Sequence, residues 1–339
     1  MKKLPIKPEA VTRGLLKQLP ERSRQILERR YGIGKGTEKE TLEAIGQDYG
    51  ITRERVRQIE NHALGKLKDQ LSSAEVKTVS DHLKETLAEH GHVAEEHTLL
   101  DNLAENDTQK NHIYFLLMLA SGFSRVRENN EFHNRWTTDT ASQKKVEQAV
   151  LQLHKKLDEN PLSEKEMTAT FMDCLPEKDS LPEATLASWL RISKRITRNP
   201  FGEWGLADSP YIRPRGIRDL AYLFMRKHGS PMHFREVAAG ITSTLKHSAH
   251  PQTVHNELIK DNRFVLVGRG LYALTEWGYQ PGIVRNVIQA ILKQHGPMTR
   301  DELVKRVLKE RHVKDNTIVI NLQNKKYFKK TENGKYALA

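Results

Sequence analysis

Apolar residues in the first 35 positions recur at helical spacing. Leu19, Ile26, Leu27 and Tyr31 lie on one side of a helix, and Gly32 follows them as a stop signal. The pattern predicts one amphipathic helix that ends at Gly32.

Two further helices are predicted after a polar loop. Thr41 is suited to cap a helix that extends to about Tyr49, because its side-chain oxygen can accept a bond from a free backbone N–H. Gly50 permits the positive φ of a tight turn, and Thr52 is suited to cap the next helix. The order helix, tight turn, helix predicts a helix-turn-helix.

The third helix has one apolar side and one polar side. Val56, Ile59, Ala63 and Leu67 form a narrow stripe at 100° per residue, so this side is predicted to face a core. The polar residues project away from that stripe: Arg53, Glu54, Arg55, Arg57, Gln58 and Asn61.

Those polar residue types suit the edges of DNA bases. Arg, Gln and Asn form paired hydrogen bonds with guanine or adenine in the major groove, and a carboxylate accepts from cytosine. The pattern favours a helix that enters the major groove. A charged helix face in contact with solvent is the alternative interpretation.

The remaining chain contains a unit repeated with a period of about 65 residues. The third copy predicts helices at 217–228, through Val237 and at 251–260, followed by a β-hairpin at 263–274. The fourth copy predicts helices at 283–295, 301–310 and about 316–324, then a hairpin at 327–338 with a two-residue turn at Asn333-Gly334. Two earlier copies show the same spacing more weakly.

Three helices followed by a two-stranded hairpin is the winged-helix arrangement. The expected fold class is therefore mainly α, with an N-terminal three-helix helix-turn-helix domain and tandem winged-helix domains that carry small β-hairpin wings. The expected domains are 1–70 for the helix-turn-helix, 74–140 for repeat 1, 141–210 for repeat 2, 214–280 for repeat 3 and 281–339 for repeat 4.

The charge distribution separates these parts. The 339 residues carry 55 Lys and Arg against 43 Asp and Glu, a net charge of +12. Residues 1–70 contribute +6 and residues 212–339 contribute +13, while 71–140 contribute −6 and 141–211 contribute −1. Basic ends favour a nucleic-acid partner, and the acidic-to-neutral middle favours protein contact over contact with phosphates.

Several other classes of protein are disfavoured. The single cysteine, Cys174, fits a reducing cytoplasm, and the apolar run at 113–120 is too short to span a bilayer. The start of the chain shows no apolar core of an export signal. The histidine groups lack the spacing of a metal site, and no phosphate-binding loop or nuclease pattern is present. We expect no catalytic residues, no metal, no cofactor, no small-molecule substrate and no membrane partner.

The string from Thr41 to Leu67 closely resembles region four of housekeeping-type bacterial sigma factors, and residues 19–33 resemble the first half of that region. The resemblance covers about residues 12–70. It implies recognition of the upstream promoter hexamer and docking on the flap of the RNA polymerase β subunit. Only about 18 residues precede the module, so we expect that the promoter-melting and polymerase-clamp regions are absent and that the chain is not a complete sigma factor.

The resemblance also assigns roles to residues. Arg53, Glu54 and Gln58 match base-reading positions, and Arg57 matches a position that touches bases or backbone. Backbone contacts are expected from Thr41, Arg55 and Lys66.

The third copy resembles the HARE-type helix-turn-helix domain, including the one at the N-terminus of the RNA polymerase δ subunit. The resemblance rests on residues 220–223, 228–237, 258–265 and 268–277. Winged helices bind proteins as well as DNA. In the fourth copy a cluster of lysines lies where a wing often meets a DNA backbone: Lys325, Lys326, Lys329 and Lys330. The alternative interpretation is a solvated strand edge whose charge opposes aggregation.

The sequence thus favours a sigma-like DNA-binding transcription protein that acts in transcription initiation or regulation. The alternative is an RNA polymerase accessory subunit, similar to δ, that acts through protein contacts without reading sequence.

Overall fold

A computed structural model of the chain describes residues 4–36, 38–69, 74–175, 181–279 and 282–339. These ranges hold sixteen α-helices and ten short strands, so the fold is mainly α with small antiparallel sheets. The chain divides into two units, Met1–Asp208 and Ser209–Ala339. Each unit is described separately.

The first unit begins with four helices. Their bounds are α1 Pro8–Leu16, α2 Glu21–Tyr31, α3 Leu42–Tyr49 and α4 Arg53–Lys68. The three predicted helices are confirmed as α2, α3 and α4. As predicted, α2 ends at Gly32, which has a φ of 60°, a left-handed conformation that glycine adopts without strain. The helix α1, whose first turn contains Pro8, was not predicted from the sequence.

The next segment of the first unit combines three helices with a three-stranded sheet. Its elements are α5 Ala74–Glu89, β1 Val93–Glu95, α6 Glu96–Leu103, α7 Asp107–Leu119, β2 Ser124–Val126 and β3 Arg135–Thr137. The antiparallel sheet has the order β1-β3-β2, and Trp136 of β3 is paired with Ala94 on one side and Arg125 on the other.

A similar segment follows. Its elements are α8 Thr140–Lys156, α9 Glu164–Met172, α10 Glu183–Leu190, β4 Ile196–Arg198 and β5 Trp204–Leu206. The strands β4 and β5 form an antiparallel pair, and Leu162 forms a bridge to Trp204 on the free side of β5.

One apolar core joins the N-terminal helices to the segment behind them. The ring centroids of Tyr31 in α2 and Phe115 in α7 are 5.1 Å apart. The hydroxyl oxygen of Thr12 in α1 lies 2.5 Å from Nδ1 of His112 in α7, and both residues are buried. The helix-turn-helix therefore packs directly on the first repeat.

The second unit contains two segments built in the same way. The third repeat comprises α11 Ile217–His228, β6 Met232–His233, α12 Phe234–Thr244, α13 Pro251–Lys260, β7 Phe264–Gly268 and β8 Leu271–Leu274. The fourth comprises α14 Val284–His295, α15 Arg300–Glu310, α16 Asp315–Leu322, β9 Phe328–Lys330 and β10 Tyr336–Leu338.

A short strand between the first and second helix recurs in these segments, and the sequence analysis missed it. In the third repeat β6 pairs with β8, giving the sheet order β6-β8-β7, and in the fourth Met298 forms a bridge to Tyr336. Each pairing involves at most three residues, too few to produce a detectable alternation of apolar and polar positions.

The predicted two-residue turn at Asn333-Gly334 is wrong. The backbone N–H of Thr331 donates to the carbonyl of Lys335 at 2.7 Å, so three residues, 332–334, form the loop. Gly334 has a φ of 74°, which suits the left-handed last position of a three-residue hairpin loop.

None of the helices in the described ranges has the length and apolar character needed to cross a membrane. Among the same residues, no three His, Cys, Asp or Glu side chains are grouped so that they could hold a metal ion.

Candidate nucleic-acid interface

The candidate interface is formed by α3, a tight turn and α4. The Thr41 hydroxyl accepts from the backbone N–H of Ala44 at 3.1 Å, and Thr52 accepts from that of Arg55 at 3.2 Å, so both predicted caps are confirmed. Gly50 has a φ of 62°, as the turn requires. The caps and the turn fix the direction in which α4 leaves α3.

Gly46 allows α3 to approach the turn closely. A Cβ at this position would lie 2.7 Å from the carbonyl oxygen of Ile51, a distance that side-chain carbons do not tolerate. That carbonyl belongs to backbone, so it cannot move aside as a flexible side chain would. The crossing of the two helices therefore depends on glycine at position 46.

The predicted apolar side of α4 faces the core. Val56, Ala63 and Leu67 are at most 1% exposed, and Ile59 is half-buried against the small cluster of Ile26, Val56 and Ile45. Because this side is buried, the opposite side is presented to solvent.

Three of the predicted base-reading residues, Glu54, Arg57 and Gln58, lie on the exposed side of α4, where each is bonded to another side chain of that helix. The Arg57 guanidinium donates to both carboxylate oxygens of Glu54, at 2.9 and 2.6 Å. Arg55 donates to the amide oxygen of Gln58 at 3.0 Å. Four of the candidate side chains are thus held in two pairs along the first two turns of α4.

These pairs position the groups without removing them from water. The side chains of Arg57 and Glu54 are 53% and 57% exposed. The hydrogen bond from Arg57 lowers the pKa of the Glu54 carboxyl, which keeps it ionised and able to accept from a base. Exposed ion pairs contribute little to stability, so base edges can replace these partners at small cost.

Among the remaining N-terminal candidates, Arg53, Arg55 and Lys66 lie at two edges of α4, and Thr41 lies at the start of α3. Arg53 and Arg57 are on the edge that faces the first repeat, where they line a cleft. Arg55 and Lys66 are on the opposite edge, about half a turn around the helical wheel, and both are exposed. Thr41 uses its oxygen as a cap but keeps its hydroxyl proton for a further acceptor.

The cleft beside Arg53 contains cations that the sequence analysis missed. Arg125 and Arg127 of the first repeat line it together with Arg53 and Arg57. The net charge of residues 71–140 is −6, which conceals a local excess of positive charge at the end of β2. The spacing of residues along the chain could not show that the end of β2 lies beside α4.

The four lysines of the second unit that are predicted to contact the DNA backbone are grouped at its last hairpin. Lys325 and Lys326 precede β9, while Lys329 and Lys330 lie within it, opposite Ala337 and Tyr336. All four are exposed. The structure places them together, and the ammonium of Lys326 lies 5.7 Å from the centre of the Tyr327 ring.

Comparisons with known proteins match the N-terminal module. Residues 15–69 match the family model described as Sigma-70, region 4. The RNA polymerase principal sigma factor HrdD of Streptomyces griseus is 52% identical over 54 residues, which is 16% of this chain and 16% of that protein. The RNA polymerase sigma factor SigA1 of Synechococcus elongatus is 53% identical over 55 residues, 16% of this chain and 14% of that protein.

A longer match is less similar. The RNA polymerase sigma factor RpoD of Neisseria gonorrhoeae is 39% identical over 71 residues, 21% of this chain and 11% of that protein. The chain therefore spans about a sixth or less of the length of these relatives. Residues 15–69 are similar to region 4 of sigma-70 proteins, which confirms the predicted resemblance for that part of the chain.

Proposed function

We propose that this chain is a DNA-binding transcription protein in which α3 and α4 recognise an upstream promoter hexamer. The match of residues 15–69 to sigma-70 region 4 carries the proposal. The exposed and ionised outer side of α4 supports it, because its residue types fit base edges in the major groove.

In this proposal Arg53, Glu54, Arg57 and Gln58 contact bases. The backbone contacts on either side come from Thr41, Arg55 and Lys66. Direct base contacts require the Glu54–Arg57 and Arg55–Gln58 pairs to open, and each released group then bonds to DNA instead.

We also propose that the other four segments are winged-helix domains of the HARE type. Support comes from the repeated order of helix, short strand or bridge, helix, helix and two strands. The boundaries at 74–140, 141–210, 214–280 and 281–339 belong to this proposal, as does a contact between DNA backbone and Lys325, Lys326, Lys329 and Lys330.

RNA polymerase is the proposed protein partner, with the β flap as the docking site of the N-terminal module. The relatives are named as RNA polymerase sigma factors, and this part of the chain resembles them. The role is non-catalytic: the protein acts by bringing polymerase and promoter together, in the cytoplasm where both are found.

A second candidate is an accessory subunit that binds polymerase without reading sequence. Two observations favour it. The helix-turn-helix packs on the first repeat. The proposed winged-helix segments make up most of the chain, and the middle two are acidic to neutral, which suits contact with protein. In this case the array supplies the main contacts.

The two candidates are separated by a pair of measurements on the full chain. The first is the dissociation constant for a duplex that carries the hexamer and for the same duplex with the hexamer scrambled, at about 0.2 M salt. The second is retention by RNA polymerase core without DNA. A hexamer preference supports the sigma-like function, whereas retention by polymerase with equal binding of both duplexes supports the accessory subunit.

A further inference from the structure

A cationic cleft lies between α4 and the first repeat, within the first unit. Its volume is about 780 Å³. One wall carries Arg53 and Arg57, on the edge of α4 next to the reading side, and the other carries Arg125 and Arg127. The cleft is thus continuous with the face proposed to contact DNA.

Positive charge exceeds negative charge in this cleft. Its lining includes two carboxylates, Glu60 and Glu96, and six cations: Arg30, Lys39, Arg53, Arg57, Arg125 and Arg127. Glu60 is engaged at the base of the cleft, where it accepts from the Tyr31 hydroxyl at 3.0 Å and lies 3.6 Å from Arg30. The remaining carboxylate cannot balance the other cations.

Arg125 is oriented by the protein itself. Its guanidinium donates to both oxygens of Glu96, at 2.5 and 2.8 Å, and lies 5.5 Å from the centre of the Tyr114 ring. The ammonium of Lys39 lies 5.1 Å from the same ring. Partial burial lowers the pKa of Lys39, and Arg125 and Arg30 lower it further against the opposing effect of Glu96. Arg125 and Lys39 therefore both lie against the Tyr114 ring, and the charge of Glu96 acts on both.

Arg127 differs from Arg125 in having a side chain available for a ligand. It directly follows β2, and it is exposed. Within the described ranges its guanidinium has no hydrogen bond or ion pair, and its backbone carbonyl accepts from Arg135. An exposed guanidinium at the mouth of a cationic cleft is suited to bind phosphate in two-pronged geometry.

We propose that the DNA backbone beside the hexamer lies across this cleft, with its phosphates bound by Arg127, Arg125 and Lys39 of the wall opposite α4. The inference rests on the proposed function and extends the DNA contact from the helix-turn-helix onto the first repeat. It replaces the expectation from net charge that this repeat avoids phosphates.

Charge and shape favour duplex DNA as the occupant. The duplex carries one negative charge per roughly 1.7 Å of its axis, so a backbone that leaves α4 presents several phosphates to a neighbouring surface. Arg53 and Arg57 both line the cleft and are exposed on α4. On binding, a phosphate takes over the bonds that Arg125 makes to Glu96.

The test uses the full chain and three single variants. Arg127→Ala removes the exposed guanidinium at this wall, and Glu96→Gln removes the carboxylate that competes for Arg125 while keeping the shape of the side chain. Arg191→Ala is the matched control, because Arg191 is also exposed and lies outside the cleft lining. Dissociation constants are measured over a salt series for the hexamer duplex and for the scrambled duplex.

Arg127→Ala is expected to weaken binding to both duplexes roughly fourfold at about 0.2 M salt and to lower the salt slope by about 0.9, as for one lost phosphate contact. Glu96→Gln is expected to tighten binding, and Arg191→Ala to leave it unchanged. If Arg127→Ala matches Arg191→Ala on both duplexes, the inference is wrong.

Failure of the proposed function gives a different result. Equal binding of both duplexes by the unaltered chain contradicts hexamer recognition. The dissociation constant of Arg127→Ala can still be compared with that of the unaltered chain on either duplex, so the inference is tested separately. A chain that binds neither duplex overturns both the proposed function and the inference.

Discussion

The recognition helix α4 and the last hairpin of the second unit are both basic, but their charges are arranged differently. In α4 the cations alternate with acceptors, so Arg57 is bonded to Glu54 and Arg55 to Gln58. In the hairpin four exposed lysines stand together, and none forms an ion pair with a described residue.

The difference indicates two kinds of contact. Donors and acceptors alternate along α4, and once their pairs open they can be matched to particular base edges, which is what discrimination between bases needs. A run of lysines presents charge without order and is suited to phosphates of any sequence. Sequence preference should therefore reside in α4, and general affinity should depend on both.

The largest expected effect comes from Gly46→Ala. The new Cβ would meet the Ile51 carbonyl at 2.7 Å, so α3 and α4 must shift apart. We expect about 1–3 kcal/mol of lost stability, as for other overpacked sites, and loss of hexamer preference with weak general binding retained.

Gly14→Ala is the control for this change. Gly14 lies inside α1 with nothing within 4 Å of an added Cβ, so this variant should gain about 0.5–1 kcal/mol. Thermal unfolding and duplex binding measure both variants. Retained preference in Gly46→Ala would show that the position of α4 does not depend on this contact.

A smaller effect is expected from Gln58→Ala. Loss of one paired contact to a base should reduce discrimination between the hexamer and the scrambled duplex by about 1–3 kcal/mol, with little change in binding of the scrambled duplex. Glu54→Ala should act in the same direction. The control is Gln152→Ala, since Gln152 is exposed on α8. Equal losses on both duplexes would contradict base reading by Gln58.

The double change Lys329→Gln and Lys330→Gln should weaken both duplexes alike. Each lost phosphate contact lowers the salt slope by about 0.9, so the pair should lower it by about 1.8 while the ratio of the two dissociation constants stays constant. Lys305→Gln with Lys309→Gln, both exposed on α15, is the matched control. An unaltered slope would exclude the hairpin from DNA binding.

The smallest expected effect is a pH dependence of the first unit. Burial lowers the pKa of His112, whose ring contacts Thr12. Since the unfolded chain binds the proton more readily, this contribution to stability is complete above about pH 6.5 and decreases as the pH falls toward the lowered pKa.

The melting temperature of the full chain should therefore fall between about pH 7 and 5, and less steeply in His112→Gln. Burial also lowers the pKa of His90, so this residue preserves part of the pH dependence in the variant. His62→Gln, at an exposed position of α4, is the control and should match the unaltered chain. If the melting temperature falls equally steeply with pH in His112→Gln and in the unaltered chain, His112 does not cause the pH dependence.

Much of the fold follows from local patterns. Helix caps at Thr41 and Thr52, the turn at Gly50 and the apolar stripe of α4 depend on residues close together in the chain, and the structure confirms them. The bounds of α11 and α13 agree with the prediction for the same reason.

Contacts between distant residues could not be predicted in this way. The packing of Thr12 on His112 joins positions 100 residues apart, and the bridge between Met298 and Tyr336 involves one residue on each side. Arg127 was missed because a segment with net charge −6 gives no sign that one of its cations lies beside α4.

The central claim is that α4 reads bases in the major groove. Methylation interference on the promoter duplex tests it most directly, because methylation of guanine N7 blocks an acceptor that lies only in that groove. We expect methylated guanines inside the hexamer to reduce binding by the full chain, and we expect this interference to decrease in Arg57→Ala, because an arginine donates to guanine N7. Equal binding of methylated and unmethylated hexamers would contradict it.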